Sequence, residues 1–140
     1  MNDVYTRIKI TLLYLWQLPQ NLLGLAVVFF SKAKRQYING VATPFYCTKY
    51  RFGVSLGAYV IVNENCNENT LLHELGHCFQ SLYLGWLYLP MIGLPSTLRN
   101  MYDRIFHKNW DTQKRIVWYY SGYPEAQADK LGNVKREYYL

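Results

Sequence analysis

The sequence predicts an α+β fold in a single domain that spans residues 1–140. Three observations support this prediction: apolar helical stretches come first, strand-like segments follow, and helical segments fill the rest of the chain. A chain of this length can bury a hydrophobic core without disulfides. Its 51% of hydrophobic and 17% of charged residues argue against a disordered chain.

The first two elements are predicted as short helices over 4–17 and 19–31, the second with Pro19 in its first turn. Residues 10–30 are rich in Leu, Val and Phe, but polar residues and Pro19 interrupt the run midway. Each apolar half is too short to span a bilayer of about 30 Å, and no signal-peptide cleavage site follows. We expect both helices to pack on the core, with residues 1–30 at a membrane surface as the alternative.

Basic residues at 32–35 end this helical N-terminal segment, 1–35, and Asn39-Gly40 is a turn signal. Loose alternation over 41–51 suggests a strand, and its proline favours an edge position because proline donates no ladder hydrogen bond. The best strand of the sequence is 57–62, Gly-Ala-Tyr-Val-Ile-Val. Residues 41–140 would therefore form a metal-site core that begins with a small antiparallel or mixed sheet.

Three helices are predicted after the strands. Asn67 or Asn69 can cap the first helix, which covers about 69–84. Residues 90–95 contain two prolines and a glycine and are predicted as a loop, after which a helix covers about 97–107 with Ser96 as its cap. The last helix opens at Pro124 and ends before Gly132.

Residues 73–77, His-Glu-Leu-Gly-His, carry the chemistry of this sequence. Positions i and i+4 lie on one face of a helix, so His73 and His77 can direct two imidazoles at one metal ion. Glu74 can reach the open position of the metal and take a proton from bound water. Zinc suits these ligands because it favours nitrogen, has no redox chemistry and lowers the pKa of its water to about 7.

A catalytic zinc needs a third protein ligand. Glu125 and Asp129 are again i and i+4 on a predicted helix, so Glu125 can bind the metal while Asp129 accepts the free N–H of a ligating histidine. His107 is the alternative ligand, or a substrate or oxyanion contact. Gln80 and Tyr83 stand where a metzincin has a glycine and a third histidine, which excludes that class.

His73-Glu-x-x-His77 followed by Glu125-x-x-x-Asp129 resembles the gluzincins, the thermolysin-like clan of zinc metallopeptidases. The stretch 53–96 is, more loosely, similar to minimal, uncharacterised bacterial zincin-like proteins. The resemblance implies a zincin-like fold with an active-site helix and a C-terminal ligand helix, Zn²⁺ as cofactor, and hydrolysis of peptide bonds by a metal-bound water that a glutamate activates. It also implies that the strand at 57–62 pairs with an extended peptide or protein substrate.

One departure from the gluzincins concerns the group that stabilises the tetrahedral intermediate. Those enzymes supply a separate histidine or tyrosine, and the candidates here are Tyr119, Tyr120, Tyr123 and His107. The chain is also short, with little room for a second lobe. It could be a minimal enzyme, a domain that a partner completes, or a metal-binding relic.

Composition leaves two other function classes open. The net charge of +6 and the 14 Tyr and 4 Trp fit a basic, aromatic binder of membrane surfaces, while no nucleic-acid motif accompanies the charge. A non-catalytic, metal-stabilised interaction module with four protein ligands is the second alternative. Cys47, Cys66 and Cys78 are odd in number and lack metal spacing, so we expect buried thiols in a reducing, cytoplasmic compartment, with membrane association as an option.

Overall fold

A computed structural model describes residues 2–37 and 44–137 of the chain. Within these ranges the protein has six α-helices and one four-stranded mixed sheet. The predicted α+β class is therefore confirmed. The turn signal Asn39-Gly40 and residues 41–43 of the predicted strand lie outside the described residues.

The elements form a helical pair, a sheet and a second helical part. The helices are α1 (Asn2–Trp16), α2 (Leu18–Ser31), α3 (Glu68–Leu84), α4 (Leu94–Phe106), α5 (Thr112–Tyr120) and α6 (Glu125–Leu131). The strands are β1 (Lys34–Gln36), β2 (Phe45–Thr48), β3 (Gly53–Leu56) and β4 (Tyr59–Asn63). A 3₁₀ turn, Gly85–Leu87, and a π-helical segment, Leu89–Gly93, join α3 to α4.

The sheet has the strand order β1-β2-β4-β3, in which only β2 and β4 run parallel. β3 and β4 form a hairpin through the two-residue turn Gly57-Ala58, where Gly57 has a φ of +65° that favours glycine. The predicted strand 57–62 is therefore a turn followed by β4. Both edges of β4 are already paired, and β3 lies at the edge of the sheet.

Two further predictions about the sheet were wrong. β2 lies between β1 and β4 instead of at an edge, and Pro44 precedes its first paired residue, so the missing N–H of proline breaks no ladder bond. β1 was not predicted at all, because its three residues Lys34–Gln36 are all exposed and carry no apolar alternation. Pairing with β2 makes this segment a strand, and a single sequence does not reveal such pairing.

The helices following the sheet also differ from expectation. The segment 90–95 is helical instead of a loop, because its prolines occupy first turns, where a missing N–H costs little. Ser96 consequently lies inside α4 and does not cap it. The helix α5 was not predicted, although Asp111 caps it by accepting the backbone N–H of Lys114 at 2.9 Å. The predicted cap Asn67 is confirmed, since its side chain accepts the N–H of Thr70.

Two buried polar residues in the first turn of α2, Gln20 and Asn21, bond to other parts of the fold. The Gln20 amide donates to Ser81 Oγ at 3.0 Å and to the carbonyl of Gly85 at 2.8 Å. The Asn21 Oδ1 accepts the N–H of Ala58 at 2.7 Å. These bonds anchor α2 to the end of α3 and to the turn between β3 and β4, and α1 meets α2 at an angle of 87°. No single helix of the described chain is long and apolar enough to cross a membrane, and α1 with α2 would qualify only as a bent pair.

The expected core packing of residues 1–30 is wrong for α1, whose described side chains are exposed along almost the whole helix. The core lies instead between the sheet and α3, where Phe45, Val60 and Val62 contact Leu71 and Leu75. Cys47, Cys66 and Cys78 are free thiols and only half-buried, against the expectation of buried ones.

The helices α3 and α6 approach until their backbones touch. A Cβ added to Gly76 would lie 1.8 Å from the carbonyl oxygen of Ala128, and one added to Gly132 would lie 1.9 Å from that of Leu72. Two glycines, one on α3 and one at the end of α6, therefore permit the contact. This contact brings the first turn of α6 beside the motif 73–77.

We expect Gly76→Ala to destabilise the chain by about 3 kcal/mol, because the helices must move apart where neither backbone can yield. Urea unfolding followed by circular dichroism measures this change. Gly93→Ala is the control. Gly93 is also helical, and its Cβ would make only ordinary contacts, with the Leu89 side chain at 3.4 Å and the Tyr88 carbonyl oxygen at 4.0 Å. The substitution should stabilise the chain by up to about 1 kcal/mol. Equal stability of the two variants would contradict the proposed contact.

Candidate metal centre

Three buried side chains converge where α3 meets α6. They are His73 and His77 of α3 and Glu125 of α6, each with one ligand atom within 4.8 Å of the others. The Nε2 atoms of His73 and His77 lie 3.0 and 3.1 Å from the same oxygen, Glu125 Oε2. The one-turn spacing of the histidines and the contact between α3 and α6 produce this arrangement.

The outer nitrogen of each imidazole has its own acceptor. His73 Nδ1 lies 2.7 Å from Asp129 Oδ1, and His77 Nδ1 lies 2.7 Å from Gln80 Oε1. The Gln80 amide nitrogen donates to the carbonyl of Pro124 and to Gln127 Oε1, which fixes its oxygen as the acceptor. In the neutral imidazoles the protons are therefore on Nδ1.

With both protons on Nδ1, the two Nε2 lone pairs and a carboxylate oxygen face one another across about 3 Å. Such a group of electron-pair donors repels itself unless a cation, either an added proton or a metal ion, lies among them. Two nitrogens and one carboxylate oxygen are also the donor set of many catalytic zinc sites. The residues therefore fit zinc, and His73, His77 and Glu125 would hold it.

The pKa values of His73 and Glu125 show that this cluster strongly favours positive charge, even when bound protons are its only source. Burial lowers the pKa of His73, but hydrogen bonds to Asp129 and Glu125 outweigh burial and raise it to about 9. Burial raises the pKa of Glu125, but the hydrogen bonds from His73 and His77 prevail and hold it well below its usual value. A metal ion binding here competes with those protons.

Glu74 lies beside this cluster without joining it. It is buried, and its Oε1 faces β3, since a Cβ on Gly53 would lie 2.7 Å from that oxygen. Its other oxygen, Oε2, is buried and has no hydrogen-bond partner within the described residues. Burial raises the pKa of Glu74, more than His77 and His73 lower it. Glu74 is thus a carboxylate with an unused oxygen and an increased proton affinity.

A cavity of about 810 Å³ adjoins the cluster of His73, His77 and Glu125. This volume is typical of ligand sites. His73, Glu74, His77 and Glu125 lie in its wall, and β3 forms one side of it. The site is therefore open to a substrate on the side where the motif and the edge strand meet.

The structure brings some of the predicted contact residues to this cavity and leaves others outside. Tyr119 and Tyr120 line it, and the Tyr120 ring packs edge-on against His73 with centroids 5.0 Å apart. His107 does not line it; its ring stacks on Trp110 at 3.7 Å, and its Nδ1 lies 3.2 Å from Asp103. His107 is therefore wrong both as the third ligand and as a substrate contact.

Tyr123 is also wrong as a cavity residue. Its hydroxyl donates to the carbonyl of Met91 at 2.5 Å, its ring is half exposed, and it does not line the cavity. Tyr119 and Tyr120 therefore remain the candidates to contact a reacting carbonyl.

Three residues that support the site escaped the sequence analysis. Ser96 donates to Glu125 Oε1 at 2.5 Å, Gln80 holds His77, and Arg136 donates to both oxygens of Asp129 at 2.5 and 2.8 Å. Gln80 had a signal, since it lies one turn after His77 on the same helix. Ser96 and Arg136 come from other parts of the chain, where they had the patterns of a helix cap and a surface charge.

Comparison of the chain with models of protein families, with curated proteins and with solved structures finds no match. The function therefore has to be inferred from the side chains of the chain itself. The cluster of His73, His77 and Glu125, the buried Glu74 and the cavity are the features of the chain that bear on its function.

Asp129→Asn should weaken zinc binding by about 10- to 100-fold, because a neutral amide orients and polarises His73 less than a carboxylate does. Competition with a chromophoric chelator measures this affinity. Asp111→Asn is the matched control, since Asp111 caps α5 and Asn caps equally well. Unchanged zinc affinity in Asp129→Asn would show that Asp129 does not act on the metal ligand.

Proposed function

We propose that this chain is a zinc-dependent peptidase of the gluzincin type, with a zincin-like fold. The observation that carries the proposal is the convergence of His73, His77 and Glu125 next to a buried glutamate with an unpartnered oxygen. Neither feature alone indicates hydrolysis, because a metal cluster can be structural and a buried carboxylate can be a packing residue. Their meeting in the wall of one cavity supports a catalytic role.

His73, His77 and Glu125 would hold the zinc, and Asp129, Gln80 and Ser96 would orient them. When bound, zinc polarises the substrate carbonyl and lowers the pKa of a water molecule. Three protein ligands leave a coordination position open for that chemistry.

Glu74 is the proposed general base. Its free Oε2 accepts a proton from the attacking water, whose oxygen bonds to the carbonyl carbon. The C–N bond then breaks, and Glu74 returns the proton to the departing amine nitrogen. Burial raises the pKa of Glu74, which makes its carboxylate a better proton acceptor near neutral pH than an exposed glutamate.

The edge strand β3 is the proposed contact for the substrate backbone. It lines the cavity beside Glu74, and its outer edge is not paired within the sheet. An extended peptide could therefore add to β3 by main-chain hydrogen bonds. This assignment replaces the one made from sequence, in which 57–62 carried the substrate, because β4 is paired on both sides.

Tyr120 is the proposed donor to the oxyanion. Burial raises the pKa of Tyr120, although Arg136 lowers it, so that the phenol keeps its proton at neutral pH. We expect Tyr120→Phe to lower kcat by about 100-fold with little change in KM, because the donor acts on the transition state. Steady-state cleavage of a fluorogenic peptide measures both constants. In Tyr123→Phe, outside the cavity, they should stay unchanged; equal losses in the two variants would dismiss the assignment.

Metal analysis and a cleavage assay on a peptide library together test the proposed function. The purified chain should contain one zinc per molecule and cleave peptides, lose cleavage with a chelator and recover it with added zinc. Zinc at full occupancy without cleavage of any peptide would favour a metal-stabilised binding module. No stoichiometric zinc, even after zinc is added, would rule out the proposal.

A further inference from the structure

The helix α2 presents an apolar surface to the outside. It contains no charged residue, and Phe29 and Phe30 are 76% and 77% exposed. Leu22, Leu23 and Leu25 are also exposed. The helix α2 has fourteen residues, and we expect a partner to cover so many exposed apolar side chains.

The helix α4 also exposes its apolar side to the outside. Leu94, Leu98, Met101 and Ile105 follow one another at steps of four, three and four residues, so that they form one stripe, and each is more than half exposed. The buried residue of this helix is a polar one, Asp103, which pairs with Arg115. An amphipathic helix thus has its apolar side outward.

The exposed apolar residues of α2 and the stripe of α4 border the same cavity. Leu23 and Val27 of α2 line the site cavity, and so do Leu94 and Met101 of α4. Three of these four are exposed as well, so apolar side chains form part of the rim of the cavity, together with the exposed polar residues Arg51, Thr97 and Arg104. A partner that covers the exposed apolar residues of α2 and α4 would therefore also lie at the entrance of the cavity.

Two exposed tryptophans, one at the end of α1 and one in the 3₁₀ turn after α3, have their side-chain N–H groups bonded within the protein. Trp16 Nε1 donates to the carbonyl of Leu82, and Trp86 Nε1 donates to that of Leu15, both at 2.9 Å. Their rings are about half exposed and offer an apolar face without an unmet donor. Lipid requires this of a protein surface, because it supplies no hydrogen bonds to polar groups.

The charges around the apolar surface select among possible partners. Exposed basic residues adjoin it, namely Arg7, Lys9, Lys32, Lys34, Arg35, Arg104 and Lys108. The acids of α1, α2 and α4 are Asp3, which pairs with Arg7, and the buried Asp103. A second copy would bring two positive rims together, which is unfavourable, whereas anionic lipid headgroups complement such a rim.

We propose that α1, α2 and α4, together with Trp86, form a bilayer-docking surface that lies in the interface of an anionic lipid membrane. The 87° corner between α1 and α2 and the length of α2, about 21 Å, favour lying in the interface over crossing it. Because the cavity opens at this surface, and resting on the proposed function, the substrates would be polypeptide segments at the membrane surface.

Vesicle flotation of the full chain tests the docking surface without any need for activity. The chain should float with phosphatidylcholine vesicles that contain about 30% phosphatidylglycerol, and less with phosphatidylcholine alone or at about 1 M salt. Joint replacement Phe29→Asp and Phe30→Asp should weaken partitioning by about a hundredfold. Phe29→Leu with Phe30→Leu is the control and should float like the original chain.

Two results would overturn the docking surface: a folded chain that stays at the bottom with anionic vesicles, or a Phe→Asp pair that floats unchanged. A dimer in solution that does not float would assign the surface to a second copy instead. A peptide anchored to the vesicles should be cleaved faster than the same peptide free in solution. Flotation without cleavage of either peptide would reject the proposed function and leave the docking surface standing.

Discussion

Replacing Glu74 with glutamine is expected to lower kcat for peptide cleavage by about a thousandfold while zinc stays bound. The proposed ligand atoms belong to His73, His77 and Glu125, so the substitution leaves the candidate metal site with all its members. Glutamine has the shape of glutamate, but its amide cannot take a proton from water. The substitution also removes a charge from a site where burial disfavours it, and the variant should fold at least as stably.

Cleavage rate and zinc content have to be measured on the same preparation of Glu74→Gln. Glu68→Gln is the matched control, because it makes the same change in the exposed first turn of the same helix, and its kcat should be unaffected. Retained cleavage in Glu74→Gln would dismiss the general base. Loss of zinc in that variant would instead make Glu74 a ligand.

Zinc should also raise the thermal stability of the chain by a large margin. An ion that binds only the folded state contributes about 4 kcal/mol at a concentration a thousandfold above its Kd. For a domain of this size, that shift amounts to about 10 °C or more in Tm. Differential scanning calorimetry with added zinc and with a chelator measures the difference.

Glu125→Gln tests whether this stabilisation comes from an ion bound to His73, His77 and Glu125. The variant keeps an oxygen for His73 and His77 but lacks the charge that holds a divalent cation. Its Tm should therefore depend far less on zinc than that of the original chain. Should zinc and chelator leave the Tm of the original chain unchanged, no metal site exists in this cluster.

Local patterns in the sequence were sufficient for part of this structure. The periodicity of α1 to α3, the cap at Asn67 and the spacing of His73 and His77 depend on neighbours within a turn or two. The pairing of Glu125 with the motif was also expected, because a catalytic zinc needs a third protein ligand, and Glu125 was preferred to His107 for that place. In each case the chemistry of a few residues determines the outcome.

Other features depend on distant parts of the chain. The edge position of β3 and the existence of β1 follow from strand pairing, which leaves no mark in the three exposed residues of β1 or the four residues of mixed burial in β3. The role of Ser96 depends on where the chain places α4, since Ser96 meets Glu125 from a helix 29 residues earlier. The spacing of Leu94 to Ile105 predicts a helix, but nothing in that spacing indicates whether its apolar side faces a core or the outside.

The backbone contact between Gly76 and Ala128 has a consequence for how the site meets its ion. Many small metal sites assemble only as the chain folds around the ion, and the affinity then includes the free energy of folding. Here the two helices carrying the ligands are locked at the distance of touching main chains, independently of any side-chain rearrangement. The proposed cage would therefore pre-exist, so an ion would need only to shed water and displace protons. Ions would then compete by size and donor preference instead of by their power to fold the chain.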